Sequence, residues 1–416
     1  MKIRLSLLAI SLCASMALAQ TGATAPGFEN VDRTVSQFLQ SWNIKGGSVA
    51  ITKDRKLIYS KGFGTAGAND AMPNTLYRVA SVSKPVTSIA VMKLAEDKLL
   101  SLNDRVFGKG RLISDPYYLD VISDKRIYDI TVNDLLEHTS GWDRNMPCDG
   151  YPHSDPAFFP LHVAAAEGES NPVGDSTLIK FSLRKGLHNA PGEKYSYSNV
   201  GYLILGKIIE NVSGMKYEEY VQRNVLSPAG AFDFQLGSNM PGNRSERESE
   251  YFSPYKTYSS YGDGAVVPWQ YGGFNIEAMN AHGGWVASAP DLARLMVAID
   301  PKGDLPVLNR ESVQAMKQSG TVNPGYGKGW FVNSSGTIWH TGSLDGTASF
   351  VCQTADGYTW AFLFNSRSDN SDAFWRAFDR LPWNCLKQLP AGTDLDLFQP
   401  VVATASVDDK QVVTEP

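Results

Sequence analysis

The run 358–365 limits the fold of this chain more than any other stretch. Extended as a strand, it puts Trp360, Phe362 and Phe364 on one face and Ala361 and Leu363 on the other. A strand with no polar face must be covered from both sides, so it belongs in the middle of a sheet rather than at a surface. Apolar runs at 329–332, 337–340 and 348–354 supply sheet neighbours, and the helical spacing of 374–386 supplies a cover, with Pro382 expected to kink or interrupt it. The other end of the chain offers matching parts. A helical pattern over 31–42 precedes strands at 48–51 and 57–59, which flank the polar turn Lys53-Asp54-Arg55-Lys56, and Gly62-Phe63-Gly64 closes that hairpin.

Between these ends the pattern changes. Residues 83–97 read as a helix, with Pro85 tolerated in the first turn because its missing N–H has no partner there. A helix over 291–298, capped near Ser288, opens the C-terminal part. From 101 to 289 short helical pieces at 132–137 and 200–212 stand among long aromatic loops, 142–160 and 251–274. Loops of that length inside a domain tend to carry function. The order predicts an α+β fold. An antiparallel sheet flanked by helices, from about 31–100 and 290–387, is interrupted by a mostly helical second lobe, about 101–289, with the active cleft where the lobes meet. Residues 391–416 read as a disordered tail.

Residues 1–19 have the pattern of a secretory leader: Lys2 and Arg4, an apolar stretch over 5–12, and Ala17-Leu18-Ala19 as a small-x-small cleavage site. This predicts a periplasmic or secreted protein. Without Lys2 and Arg4 the formal charge of −5 becomes −7, which argues against nucleic acid or an anionic membrane surface as partner. No other segment reads as a membrane span. Cys148, Cys352 and Cys385 remain after cleavage, and a disulfide between Cys352 and Cys385 would tie a core strand to the last helix. Neither the cysteine spacing nor the histidines suggest a metal site, and no cofactor is expected.

Three short motifs carry chemistry. Ser81-Val82-Ser83-Lys84 stands at the start of the helix 83–97, where positions three apart share a face. It offers a hydroxyl nucleophile, an amine to take its proton, and a helix N-terminus that favours a developing oxyanion. A capping serine with a solvated lysine fits the same pattern. Tyr197-Ser198-Asn199 lies on a loop entering a helix. A tyrosine beside a lysine can act as general base, with Tyr195 a rival, and the asparagine offers donors and an acceptor to a substrate amide. His340-Thr341-Gly342 falls at the end of a predicted strand, whose edge can pair with an extended acyl chain. The N–H of Ser343 and that of Ser81 would form an oxyanion site.

Ser-x-x-Lys, Tyr-x-Asn and His-Thr-Gly, in that order, resemble the motifs of the serine β-lactamase and penicillin-binding superfamily. Within it the resemblance is to the branch of class C β-lactamases, D,D-peptidases, D-aminopeptidases and β-lactamase-like esterases. Leu135-Leu136-Glu137-His138-Thr139-Ser140-Gly141, Gly283-Gly284-Trp285, Asp291-Leu292-Ala293-Arg294 and Tyr326-Gly327-x-Gly329-Trp330 are similar to further stretches of that branch, over about 31–387.

The resemblance implies a β-lactamase-like fold over 20–390 and acyl transfer through Ser81. Lys84 is then the lysine hydrogen-bonded to the serine, Tyr197 shares acid/base duty, and Asn199 holds the substrate amide. His340 stands where class C β-lactamases have a lysine. An ordinary histidine, with a pKa near ~6.5, is mostly neutral at neutral pH and gives poor pairing to a β-lactam carboxylate. The expectation is therefore a secreted serine hydrolase that cleaves an ester or peptide amide in a small molecule or peptide. A β-lactamase or D,D-carboxypeptidase on cell-wall-like substrates is one alternative, and a non-catalytic binding domain another. His138 is expected to pack in the core.

Overall fold

The computed structural model describes residues 19–22, 26–304, 306–368 and 371–398. Apart from Ala19, the expected leader lies outside them. Twelve strands occur in the described residues: β1 (Gln20–Thr21), β2 (Gly46–Lys53), β3 (Lys56–Gly64), β4 (Leu76–Arg78), β5 (Phe234–Leu236), β6 (Lys256–Tyr258), β7 (Val266–Pro268), β8 (Trp285–Ser288), β9 (Phe331–Val332), β10 (Ile338–Leu344), β11 (Thr347–Gln353) and β12 (Tyr358–Phe364). Seven form one antiparallel sheet in the order β1-β3-β2-β12-β11-β10-β9. β12 lies in its middle, between β2 and β11.

Alternation along the strands divides the core into two layers. Val49, Ile51, Phe350, Trp360, Phe362 and Phe364 face the N-terminal helix Glu29–Ser41 and the C-terminal helix Ser371–Leu386. Ala50, Val351, Ala361 and Leu363 face the other way, onto the helices Ser83–Glu96 and Ala289–Val297 and the second lobe. The C-terminal helix runs through Pro382 without the interruption that was one of the two expected outcomes. Phe374, Phe378, Leu381 and Cys385 are all buried, and Trp383 stands edge-on to Trp360 at 4.9 Å. Burial of such side chains is worth about 1.5–3 kcal/mol each, which offsets the roughly 3 kcal/mol cost of a helical proline.

Three further expectations need correction. Gly62-Phe63-Gly64 does not close the hairpin; it belongs to β3, paired with Ser48, Gly47 and Gly46. The turn lies at Asp54 and Arg55, both at positive φ (48° and 71°), as a two-residue hairpin of this hand requires. The predicted tail begins ordered: Leu397 N–H donates to Leu57 O at 2.7 Å, Asp394 pairs with Lys56 at 2.6 Å, and the Arg294 guanidinium covers the Phe398 ring. Residues 399–416 lie outside the described residues.

Finally, Cys352 and Cys385 are free thiols, as is Cys148. Cys352 on β11 is close to Asp379, more than a turn and a half before Cys385 on the helix, about 9 Å of rise. Cys385 is close to Tyr59 on β3, three strands away from β11. A disulfide needs Cα atoms within about 7 Å. We expect reductant to leave the melting temperature unchanged, as checked by calorimetry with and without a phosphine; a clear fall would restore the disulfide.

Candidate active site

β4 leads directly into the serine. Val79 N–H donates to Trp285 O on β8 at 2.9 Å, and Ala80 is held at φ 48°, a region that side chains rarely enter. The short turn Ala80–Val82 then presents Ser81 half-buried, two residues before the helix Ser83–Glu96 begins. That helix is buried almost all round. Ser83 Oγ accepts from Trp285 N–H at 3.2 Å, Thr87 Oγ1 donates to Ala281 O at 2.6 Å, and Ser88 Oγ donates to Lys328 O at 2.6 Å.

These contacts place the Lys84 amine in a fully enclosed position. Its Nζ lies 2.7 Å from Asn199 Oδ1, 2.9 Å from His282 O and 3.4 Å from Ser81 Oγ. Burial, with the nearby Arg144 charge, holds its pKa well below the usual lysine range, although Asp155 pulls the other way. A neutral amine has two N–H donors and one lone pair. Two of its three neighbours, an amide oxygen and a backbone carbonyl, only accept. In the neutral form both N–H groups go to them, and the lone pair is left for the serine hydroxyl.

Asn199 opens the helix Asn199–Ser213, which Ser198 caps by accepting from Gly201 N–H at 3.2 Å. The helix packs so tightly on Asn280–Gly283 that a Cβ at Gly206 would meet that of Ala281 at 2.7 Å. The Asn199 amide orientation follows from its other neighbour, because Nδ2 donates to Asp155 Oδ2 at 2.6 Å. A carboxylate can only accept, so Oδ1 must face Lys84.

The Tyr197 hydroxyl lies close enough to the Ser81 side chain for the serine to favour its ionised form. Burial raises its pKa, so it stands as a neutral phenol. Tyr195 packs instead against His138 and Tyr326, and burial pushes its pKa up to about 12. His138 grips the segment on both sides of Tyr197: Ser196 N–H donates to its carbonyl at 2.8 Å and Ser198 N–H to its Nδ1 at 3.1 Å. Its ring lies 4.3 Å from that of Tyr197. His138 therefore positions the tyrosine as well as filling core.

The His-Thr-Gly triplet sits inside β10, not at its end. Thr341, Gly342 and Ser343 continue the ladder opposite Phe350, Ser349 and Ala348. On the other side β9 pairs only with Ile338 and Trp339, which leaves the 340–344 edge without a strand partner among the described residues. A Cβ at Gly342 would collide with the Val79 carbonyl and the Ser349 hydroxyl, so glycine lets β10 close on the serine turn. Ser343 is exposed. The His340 side chain is 1% exposed, with Nδ1 2.7 Å from Thr341 O, and burial and the Lys84 charge push its pKa down to about 3. It turns away from solvent, and only its backbone reaches the open edge.

Ser81, Lys84, Tyr197 and Asn199 thus come together, and β10 supplies an open strand edge beside their turn. Sequence reasoning missed Asp155, Arg144 and the His282 carbonyl. Asp155 and Arg144 stand in the aromatic loop 142–160 with no periodicity or spacing to mark them. Two open surface cavities, of about 440 and 530 Å³, lie away from this cluster, beside Phe252 and Arg244 respectively.

Asp155 yields a direct prediction. Asp155→Ala frees the Asn199 amide to turn and removes a negative charge that raises the Lys84 pKa. We expect kcat/KM to fall about tenfold to a hundredfold, the usual worth of a hydrogen bond to a charged group. The acid limb of the pH profile should also move to lower pH, which general loosening of the fold would not produce.

Comparison with known proteins gives a consistent picture. The Beta-lactamase family model matches residues 31–381. Protein flp of Staphylococcus aureus (strain N315) is 27% identical over 339 residues, which are 80% of this chain but only 61% of that protein. A putative D-alanyl-D-alanine carboxypeptidase of Escherichia coli (strain K12) is 26% identical over 374 residues, 81% of each chain. Among solved structures, the octameric penicillin-binding protein homologue from Pyrococcus abyssi superposes with a TM-score of 0.63 at 25% identity, covering 87% of this chain and 79% of that one.

Proposed function

The chain belongs to the Beta-lactamase family, and from that premise we propose that it is an exported serine hydrolase that cleaves an ester or peptide amide through an acyl-enzyme on Ser81. The observation that carries the proposal is the environment of Lys84. Its Nζ lies 3.4 Å from Ser81 Oγ while two acceptors engage its N–H groups, so that in the neutral form its lone pair faces the serine.

In this mechanism Lys84 takes the Ser81 proton as Oγ attacks the carbonyl carbon. Tyr197, kept protonated by burial, hands a proton to the leaving group and regains one from the Lys84 ammonium, whose Nζ lies 4.8 Å from the centre of its ring. The N–H groups of Ser81 and Ser343 hold the oxyanion, while Thr341 and Gly342 pair with the extended substrate along the open edge of β10. Water then releases the acyl group by the reverse proton path. One hydrolase unit over 20–390, preceded by a leader over 1–19, accommodates this reading. No helix among the described residues is long and apolar enough to cross a membrane.

A second reading, D,D-carboxypeptidase, draws support from the Escherichia coli relative's name. β-Lactam hydrolysis is disfavoured because the buried, neutral His340 offers the drug's carboxylate no cation on β10, where a class C β-lactamase has its lysine. Purified protein offered a nitrophenyl ester, a D-amino-acid amide, a D-alanyl-D-alanine peptide and a chromogenic cephalosporin should turn over one of the first three fastest. Turnover of none of the four would refute the hydrolase reading, and a preference for the cephalosporin would refute its specificity.

A further inference from the structure

We propose that Arg144 forms an anion subsite, and that the preferred substrate carries a terminal carboxylate on its acyl chain. This deepens the acyl-transfer reading and rests on it. The argument begins with the charges of the loop 142–160. Its acids are committed elsewhere: Asp143 pairs with Lys194 at 3.2 Å, Asp149 with Lys185 at 2.6 Å and His162 at 2.8 Å, and Asp155 accepts from Asn199. Arg144 is exposed and has no ion-pair partner among the described residues.

It is nonetheless held in place. Its guanidinium carbon lies 4.7 Å from the centroid of the Tyr197 ring, the tyrosine whose hydroxyl is near Ser81. A guanidinium over an aromatic ring uses its face for that contact and leaves its in-plane N–H groups free. Those donors match the two oxygens of a carboxylate, and the ring reduces the freedom lost on binding.

The rest of the site points the same way. Lys84 is enclosed and its N–H groups are occupied, and His340 is buried and neutral, so neither offers a cation to a ligand. Arg144 is an exposed positive charge over the Tyr197 ring, and its field reaches Lys84, His138, Tyr195, Tyr197 and His282. A carboxylate bound there would also offset the Arg144 charge that, after burial, lowers the Lys84 pKa. Selectivity must therefore be measured as a ratio between substrates rather than as a single rate.

The test compares 4-nitrophenyl hexanoate with the 4-nitrophenyl monoester of adipic acid, whose acyl chains match in length and differ in a terminal carboxylate. Wild-type protein should favour the adipate ester in kcat/KM. Arg144→Gln should lower the adipate-to-hexanoate ratio about tenfold, chiefly through KM, and Arg144→Lys should retain part of it. An unchanged ratio, including an equal fall on both esters, overturns the subsite. Calorimetric titration of the Ser81→Ala protein with each ester separates this from failure of the hydrolase reading. Tighter binding of the adipate ester, abolished by adding Arg144→Gln, upholds the subsite even if the wild-type protein turns over neither ester. Equal binding, or none, refutes it.

Discussion

Ser81→Ala is expected to lower kcat on every accepted substrate by about 10⁴- to 10⁶-fold, the scale on which loss of a covalent nucleophile acts. The substitution removes one oxygen from a half-buried side chain. That oxygen takes part in contacts with Lys84 and Tyr197 and does not brace the core. The melting temperature should therefore change little. Mass spectrometry supplies the second readout: a slowly deacylating ester should leave its acyl group on the peptide containing Ser81 in the wild-type protein and nowhere in the variant. An adduct on another residue, or wild-type turnover by the variant, would sink the assignment.

Lys84→Met should have the next largest effect, about 10²- to 10⁴-fold in kcat, the usual contribution of general base catalysis. Methionine fills a similar volume without a lone pair. The wild-type pH profile provides the sharper test. Only the neutral amine can accept the Ser81 proton, so kcat/KM should rise with pH through the Lys84 pKa and then level off. Burial holds that pKa well below 10.5, so the plateau should arrive well before an ordinary lysine would lose its proton. A rise centred near 10 would show that Lys84 stays charged. Stability obeys the same linkage: between the depressed folded pKa and the unfolded value the unfolded chain binds the extra proton, so stability should climb with pH across that window and flatten in Lys84→Met.

Much of this was legible because it depends on short-range pattern. The two-faced burial of β12 followed from five consecutive side chains, and Ser81 and Lys84 stand one helical turn apart. Boundaries set by tertiary contact were harder to read. β10 runs past His340 because β11 offers it partners through Leu344, and glycine at 342 is needed for the approach of the serine turn; neither is visible in the run 337–340. Pro382 sits inside a helix because the surrounding aromatic burial outweighs its local cost. Asp155 and Arg144 reach the site through a loop, where sequence separation says nothing about distance.

The pairing of β2 with β12 joins Lys53 to Tyr358, so the central ladder cannot close until about three hundred residues of intervening chain are in hand. Loop closure over such a span is slow, and contacts of this separation delay folding. Until then β2 presents an unmatched edge, the form of strand most prone to pair with other chains. The same delay governs chemistry. Ser81 arrives from the early half of the chain and the open edge of β10 from the late half, so enzymatic competence should appear abruptly, as one of the last events of refolding.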